Sequence, residues 1–187
     1  VFTSGGVGTN THEIYGLEGT ELPSFTAHIG KDAFEHIFTG CTINSLQIAI
    51  ESDYILVTVD IVGAKDFKAP LKEIADLVMF NENLLTFIAA GITFGGIGYN
   101  CKVKGFVINI ENNADAAAGK GIGTRYPCRI PVGARNVNLS GTLYFEDETE
   151  YAKYWGSTEG ISNEGPSNEA IVVTIDSGVD GSLELKF

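Results

Sequence analysis

The sequence predicts a mainly β protein (α+β): two packed antiparallel sheets, sandwich- or barrel-like, with one or two short helices. Three observations predict it. The 187 residues include 23 glycines, and Val, Ile, Thr, Phe and Tyr recur in short runs, the composition of many short strands joined by turns. One strand pattern occurs twice, as "CTINSLQIAIE" at 41–51 and "CKVKGFVINIE" at 101–111. Each copy has a Cys, an aliphatic two places on, a small residue, three apolar residues at alternate positions and a closing Glu. Two segments, both short, carry the marks of a helix. The hydrophobic fraction of 44% and charged fraction of 19% are those of a chain that buries a core. The length suits one large domain or two small ones.

Residues 1–21 read as a flexible N-terminal segment ahead of a single β domain at 22–187. "VFTSGGVGTNTH" is rich in Gly and Thr, as loops are, and "EIYGLEGTEL" has weak strand character. "PSFTAHIG" alternates around Phe25, Ala27 and Ile29. "KDAFEHIFTG" adds a turn at Lys31-Asp32 and a strand through Phe34, His36 and Phe38, which makes a hairpin. In the first copy of the repeat, Leu46, Ile48 and Ile50 share one face. Ile43 is out of phase by one residue, and a bulge at Asn44-Ser45 restores the phase. In the second copy Val103 is out of phase with Phe106, Ile108 and Ile110, with Gly105 at the slip. Each copy is followed by another strand, "YILVTVDIVG" or "NVNLSGTLYFED". The repeated unit is therefore an antiparallel strand pair, and two such units either pack face to face or extend one sheet.

Between the copies, "APLKEIADLVMF" places Leu71, Ile74, Leu77 and Val78 at helical spacing behind Pro70, with Lys72, Glu73 and Asp76 opposite, which predicts a short amphipathic helix. "TFIAAGITFGG" reads as a buried strand. "DETEYAKYWG" reads as a second short helix, acidic at its start and stopped by Gly156. The stretch "NNADAAAGKGIGTRYPCRIPVGARN" is a long connection between two strands that contains all three arginines, Arg125, Arg129 and Arg135. Long loops inside compact domains are uncommon and usually functional. A basic loop on an acidic molecule suggests contact with another copy, the alternative being a solvated loop.

The net charge is −12, and residues 146–187 carry ten acids against Lys153 and Lys186. Tight binding to DNA or anionic lipid is not expected of such a surface, because phosphate binding depends on Lys and Arg displacing counterions. No apolar run approaches the roughly 20 residues of a membrane-spanning helix, and no membrane partner is expected. Three cysteines, Cys41, Cys101 and Cys128, lack framework spacing and point to a reducing compartment. Cys41 and Cys101 open equivalent strands and are candidates to lie near each other, although buried Cys is often just a small apolar residue. The chain opens at Val1 and ends at Phe187 within the alternating "GSLELKF". That reads as a piece of a longer protein or as a designed chain.

Motifs of chemistry are weak. "GKGIG" and "GGVG" lack the strand–loop–helix setting of a phosphate loop. His12, His28 and His36 have no metal-ligand spacing, although His28 and His36 lie on opposite arms of the hairpin. Asp60 with Asp66, and Glu146 to Glu150, fall at strand ends and a helix start, where acids are ordinary. No nucleophile elbow occurs, and the sequon at Asn138 lies inside a predicted strand. No catalytic residue, metal or cofactor is expected, and the chain is not read as an enzyme.

Several stretches carry a resemblance to a known family: "ELPSFTAHIG", "FEHIFTGCTINSLQIAIE", "VTVDIVGAKD", "CKVKGFVINIENNAD", "RIPVGARNVNLSGTLYFED" and "YAKYWGSTEG". Over roughly residues 22–187 the chain resembles the tail tube proteins of long-tailed bacteriophages. The resemblance implies a structural, self-assembling protein of the virion tail, present in the host cytoplasm during assembly. It implies hexameric rings whose subunits share a continuous inner β-barrel, with a helix packed outside. The rings stack into a tube that passes double-stranded DNA without tight binding and meets other tail proteins. A long loop reaches the neighbouring ring, and Arg125, Arg129 and Arg135 are the candidate inter-subunit residues. The acids of 146–187 are the first candidates to face the lumen. The alternative is a β-sandwich receptor- or carbohydrate-binding module, for which Tyr151, Tyr154 and Trp155 are candidate contacts.

Overall fold

The computed structural model of the chain describes residues 2–3, 11–12, 22–51, 54–72, 86–100, 102–144, 148, 152, 169–176 and 182–187. Among these residues the fold is mainly β, as the sequence predicts: two antiparallel sheets of six strands each. The strands are β1 (Phe2–Thr3), β2 (Thr11–His12), β3 (Phe25–Lys31), β4 (Phe34–Ile50), β5 (Ile55–Val62), β6 (Lys65–Ala69), β7 (Ala90–Phe94), β8 (Ile97–Gly98), β9 (Val103–Glu111), β10 (Asn136–Leu143), β11 (Ile171–Asp176) and β12 (Ser182–Lys186). One sheet runs β2-β1-β12-β11-β7-β8. The other is organised around β4, which pairs with β3 and β6 along its first half and with β9 and β5 along its second.

β4 is 17 residues long because two strands expected to be separate run into one. Gly40 lies between them with φ at 61°, a left-handed conformation that costs glycine little. The β3–β4 turn falls at Asp32-Ala33. The pairing of β5 and β6 on β4 stays in step across Gly63 and Ala64, where the Ala64 N–H donates to Thr39 O at 3.1 Å.

The two copies of the repeat pair directly with each other. Ile48 of β4 is opposite Ile108 of β9, Leu46 is opposite Ile110 and Ile50 is opposite Phe106. Ile48 and Ile108 occupy the same place in the two copies. The ladder is therefore centred on a local two-fold relation, and the strand pairs β4–β5 and β9–β10 extend one sheet in the order β5-β4-β9-β10. Both expected bulges are present. In β4 the register slips between Ile43 and Ser45, leaving Asn44 as the extra residue. In β9 it slips at Lys104, next to Gly105.

One face of this sheet packs on the other sheet. Ile48, Ile50, Phe106 and Ile108 meet Ile92, Tyr99, Val173 and Ile175, two layers joined by alternating inward residues. Tyr99 packs edge-on to Phe94, with ring centroids 5.0 Å apart. A cavity of about 40 Å³ lies between the layers, lined by Gly91, Asn100 and Val103 among others.

Several sequence expectations change. Cys41 is buried, and Cys101, expected as a candidate neighbour, lies outside the described residues. His28 is opposite Ile37 and His36 is opposite Ile29, so the two histidines are on opposite faces of the hairpin. His28 Nδ1 instead contacts the Oε1 of Glu35, a buried carboxylate. The expected strand "TFIAAGITFGG" begins as a 3-10 turn at Phe87–Ala89 before β7. The first predicted helix lies outside the described residues beyond Lys72. In the second, Glu148 and Ala152 have helical backbone and the rest is outside. Phe2–Thr3 and Thr11–His12, in a stretch read as loop, add to the β12 edge.

The long connection 112–135 is a folded hairpin arm that prolongs β9 and β10. Past the last ladder pair, Glu111 with Asn136, the Gly133 N–H donates to Asn113 O and the Asp115 N–H to Pro131 O, both at 3.0 Å. Farther out, the Cys128 N–H donates to Gly119 O at 2.9 Å. Isolated bridges join Ala114 to Val132 and Lys120 to Pro127. The limbs approach so closely that a Cβ on Gly119 would lie 1.7 Å from the Arg129 carbonyl oxygen.

Two predictions follow from this packing. Ile108 is fully buried, so Ile108→Ala is expected to lower unfolding free energy by about 2–5 kcal/mol, read by denaturant titration. Gly119→Ala is expected to separate the limbs of the arm. Hydrogen exchange should show lost protection at the Cys128 amide with the Ile48 and Ile108 amides unchanged.

Candidate functional site

The sheet β5-β4-β9-β10 has two unlike faces, because strand side chains alternate. The face turned from the core carries three cross-strand rows. These are Leu56, Ala49, Val107 and Ser140; Thr58, Gln47, Asn109 and Asn138; and Asp60, Ser45, Glu111 and Asn136. The charged residues in these rows are Asp60 and Glu111, both acidic, with Lys104 beyond them at the second bulge. Asn109 Nδ2 donates to Glu111 Oε1 at 2.9 Å. The face is thus apolar at the row of Leu56, Ala49 and Val107, with Leu56 exposed, and polar over the other two rows, which carry amides, hydroxyls and two carboxylates.

The opposite face is apolar out to both edges, beyond what the second sheet covers. On β5, Val57 is 53% exposed, and Val59 and Ile61 are exposed beside it. They share the face of Leu46 and Ile48 through their cross-strand pairs. On β10, Val137 and Leu143 are exposed on the face of Ile110 and Val103. Among the described residues β5 has β4 as its one ladder partner and β10 has β9. Each edge therefore offers free backbone hydrogen-bonding groups flanked by apolar side chains, a template for pairing with another chain.

The arm projects from the same sheet. Near its tip Ile122 is fully exposed and the Arg125 guanidinium lies 5.7 Å from the Tyr126 ring centroid. The three candidate arginines are spread along the arm rather than gathered. Arg125 is near the tip, Arg129 is midway and exposed, and Arg135 is at the base, where its Nε donates to Asn112 Oδ1 at 3.0 Å.

Sequence reasoning missed the node that holds this base. Asn44, the bulge residue of β4, accepts the Asn112 N–H on its backbone oxygen and the Ala114 N–H on its Oδ1, both at 2.8 Å. Its Nδ2 donates to Asp60 Oδ2, also at 2.8 Å. Asn112 Nδ2 returns a bond to Ile43 O at 2.9 Å. Asn113, with φ at 51°, donates from Nδ2 to Ala134 O at 2.7 Å and so ties the two limbs. The phase slip at Ile43 signalled the bulge, but nothing in the sequence pointed to its partners.

Among the described residues no group of three or more His, Cys, Asp or Glu is placed to hold a metal ion. Tyr151, Tyr154 and Trp155 lie outside the described residues. Comparison with curated proteins returned no match. The profile of the phage tail tube protein family matches residues 2–182, nearly the whole chain. With that match and a mainly β fold of two antiparallel sheets, the chain belongs to the phage tail tube protein family, a structural component of the virion tail.

Proposed function

We propose that this chain assembles edge to edge into hexameric rings, that the rings stack into the tail tube, and that the polar face of β5-β4-β9-β10 lines a lumen through which double-stranded DNA passes. The observation that carries this reading is the matched pair of amphipathic edges. β5, β4, β9 and β10 alternate in direction. A β10 laid beside the β5 of the next copy is therefore antiparallel to it, and repetition gives a continuous antiparallel sheet. Closing that sheet into a barrel removes every open edge. It also brings the exposed Val137 and Leu143 of one copy beside the Val57, Val59 and Ile61 of the next, on the side away from the lumen.

The electrostatics agree with free passage. Asp60 and Glu111 on the polar face repel phosphates, and the three rows offer no cation to hold them. Among the described acids of 146–187, Glu184 is a poor candidate for the lumen: it is opposite Thr174 on the other sheet, facing away from the core and so away from the proposed lumen. Its carboxylate pairs with Lys186 at 3.4 Å. The arm, with Lys120 and three arginines against Asp115, is the positive element of an acidic molecule. It is suited to dock on the neighbouring ring through charge complementarity with Ile122 as an apolar tip. This reading takes no catalytic role or cofactor. It places assembly in the host cytoplasm, with other tail proteins at the tube ends.

Sedimentation and negative-stain electron microscopy at rising concentration are expected to show rings and hollow tubes; a strict monomer at all concentrations would overturn the reading. Val59→Lys with Val137→Lys charges both apolar edges and is expected to leave a folded chain that forms no rings in the same assay. Replacing Arg125, Arg129 and Arg135 together with Gln is expected to leave rings but shorten the tubes. Unchanged tube length would remove the arginines from stacking.

A further inference from the structure

We infer that Asn44 couples the two kinds of contact between copies, so that closing a ring at the β5 edge orders the arm that joins one ring to the next. The inference rests on the ring-and-arm reading above and adds a mechanism to it. Its basis is a single side chain that touches both surfaces. Asn44 Nδ2 donates to Asp60 on the edge strand β5, and Asn44 Oδ1 accepts from the Ala114 backbone in the arm, each at 2.8 Å. The network continues from the Asn44 carbonyl to the Asn112 N–H, and from Asn112 Oδ1 to Arg135 on the returning limb. Both limbs of the arm are thus tied to the edge through one residue.

The chemistry gives the coupling a direction. An amide has one donor end and one acceptor end, so the carboxylate of Asp60 selects the orientation of Asn44 that aims its oxygen at Ala114. In a free subunit Asp60 is exposed and water competes for it, which leaves that orientation weakly held. When a neighbouring strand pairs along the β5 edge, it fixes the backbone of Asp60 and shields the edge flank of its side chain from water, the charge-assisted bond strengthens, and the Ala114 bond is secured with it. Linkage makes the effect reciprocal: an arm held by the neighbouring ring favours the β5 edge conformation that closes a ring. Asn44 is a positioning residue in this scheme and touches no partner itself. The bulge is what makes it available, since an unpaired extra residue leaves its backbone and side chain free to serve as an anchor.

The test measures hydrogen exchange at the Ala114 and Asn112 amides in the full chain, below and above the concentration at which sedimentation shows rings. In the unsubstituted protein, protection at these amides is expected to rise about tenfold on ring formation, within the usual span of coupling between sites. Asn44→Asp keeps the acceptor for Ala114 but sets a carboxylate against Asp60, and the rise should disappear while rings still form. Asp60→Asn added to Asn44→Asp reverses donor and acceptor, since the carboxylate at position 44 then accepts from both neighbours, and the rise should return. Unchanged protection of the Ile48 and Ile108 amides confirms that each variant is folded. Rings without any rise in the unsubstituted chain, a full rise in Asn44→Asp, or failure of the reversed pair to restore it would each overturn the inference and leave the tube reading standing. Absence of rings in the unsubstituted chain would overturn both.

Discussion

The antiparallel ladder between β4 and β9 is the contact from which the rest of the molecule is built. It joins two copies of one strand pattern at equivalent residues, Ile48 and Ile108, and fixes what lies on either side. Register in a half-buried sheet is strongly specified, because a slip by one residue would turn every core side chain outward. Here the cost of a slip is concentrated on Ile48, Ile50, Phe106 and Ile108, all buried and each worth about 1.5–3 kcal/mol of transfer free energy. The pairing also decides that β5 and β10, the second strands of the two pairs, become the edges of the central sheet.

Those edges impose the next constraint. An open, apolar strand edge invites association with other chains, and proteins usually blunt it with charge, proline or a bulge. Neither β5 nor β10 carries Lys, Arg or Pro, Asp60 is the one charge on the two strands, and the bulges of the two ladders fall on the inner strands β4 and β9. A chain that must polymerise gains from leaving such edges open. The proposed assembly would give that openness a purpose, and the unlike faces of the sheet would be its inside and outside.

The bulges do more than correct phase. In β4 the extra residue is an asparagine whose backbone oxygen and both side-chain polar atoms are engaged, joining the edge strand to the base of the arm. The equivalent slip in β9 presents Lys104 at the opposite end. The local two-fold relation thus holds for the backbone and breaks in the side chains. The arm that joins β9 to β10 grows from the Glu111–Asn136 end of the sheet, which would give the proposed ring a distinct top and bottom.

Much of this was legible beforehand because it is written in short-range pattern. Alternation of Leu46, Ile48 and Ile50 and of Phe106, Ile108 and Ile110 determined the strands and their buried faces. The out-of-phase Ile43 and Val103 located both bulges to within a residue. The charge count identified the 112–135 connection as the basic element. What the sequence could not decide was which strands are neighbours, because period-two alternation says which way a side chain points and nothing about what lies beside it. Tertiary pairing set the repeats side by side in one sheet rather than face to face in two, fused 34–38 with 41–50 into one strand and turned a long loop into a paired arm. It also put Asp60 and Glu111 in one row on the face of the central sheet turned from the core, since the residues a side chain shares a face with depend on the partner its strand finds.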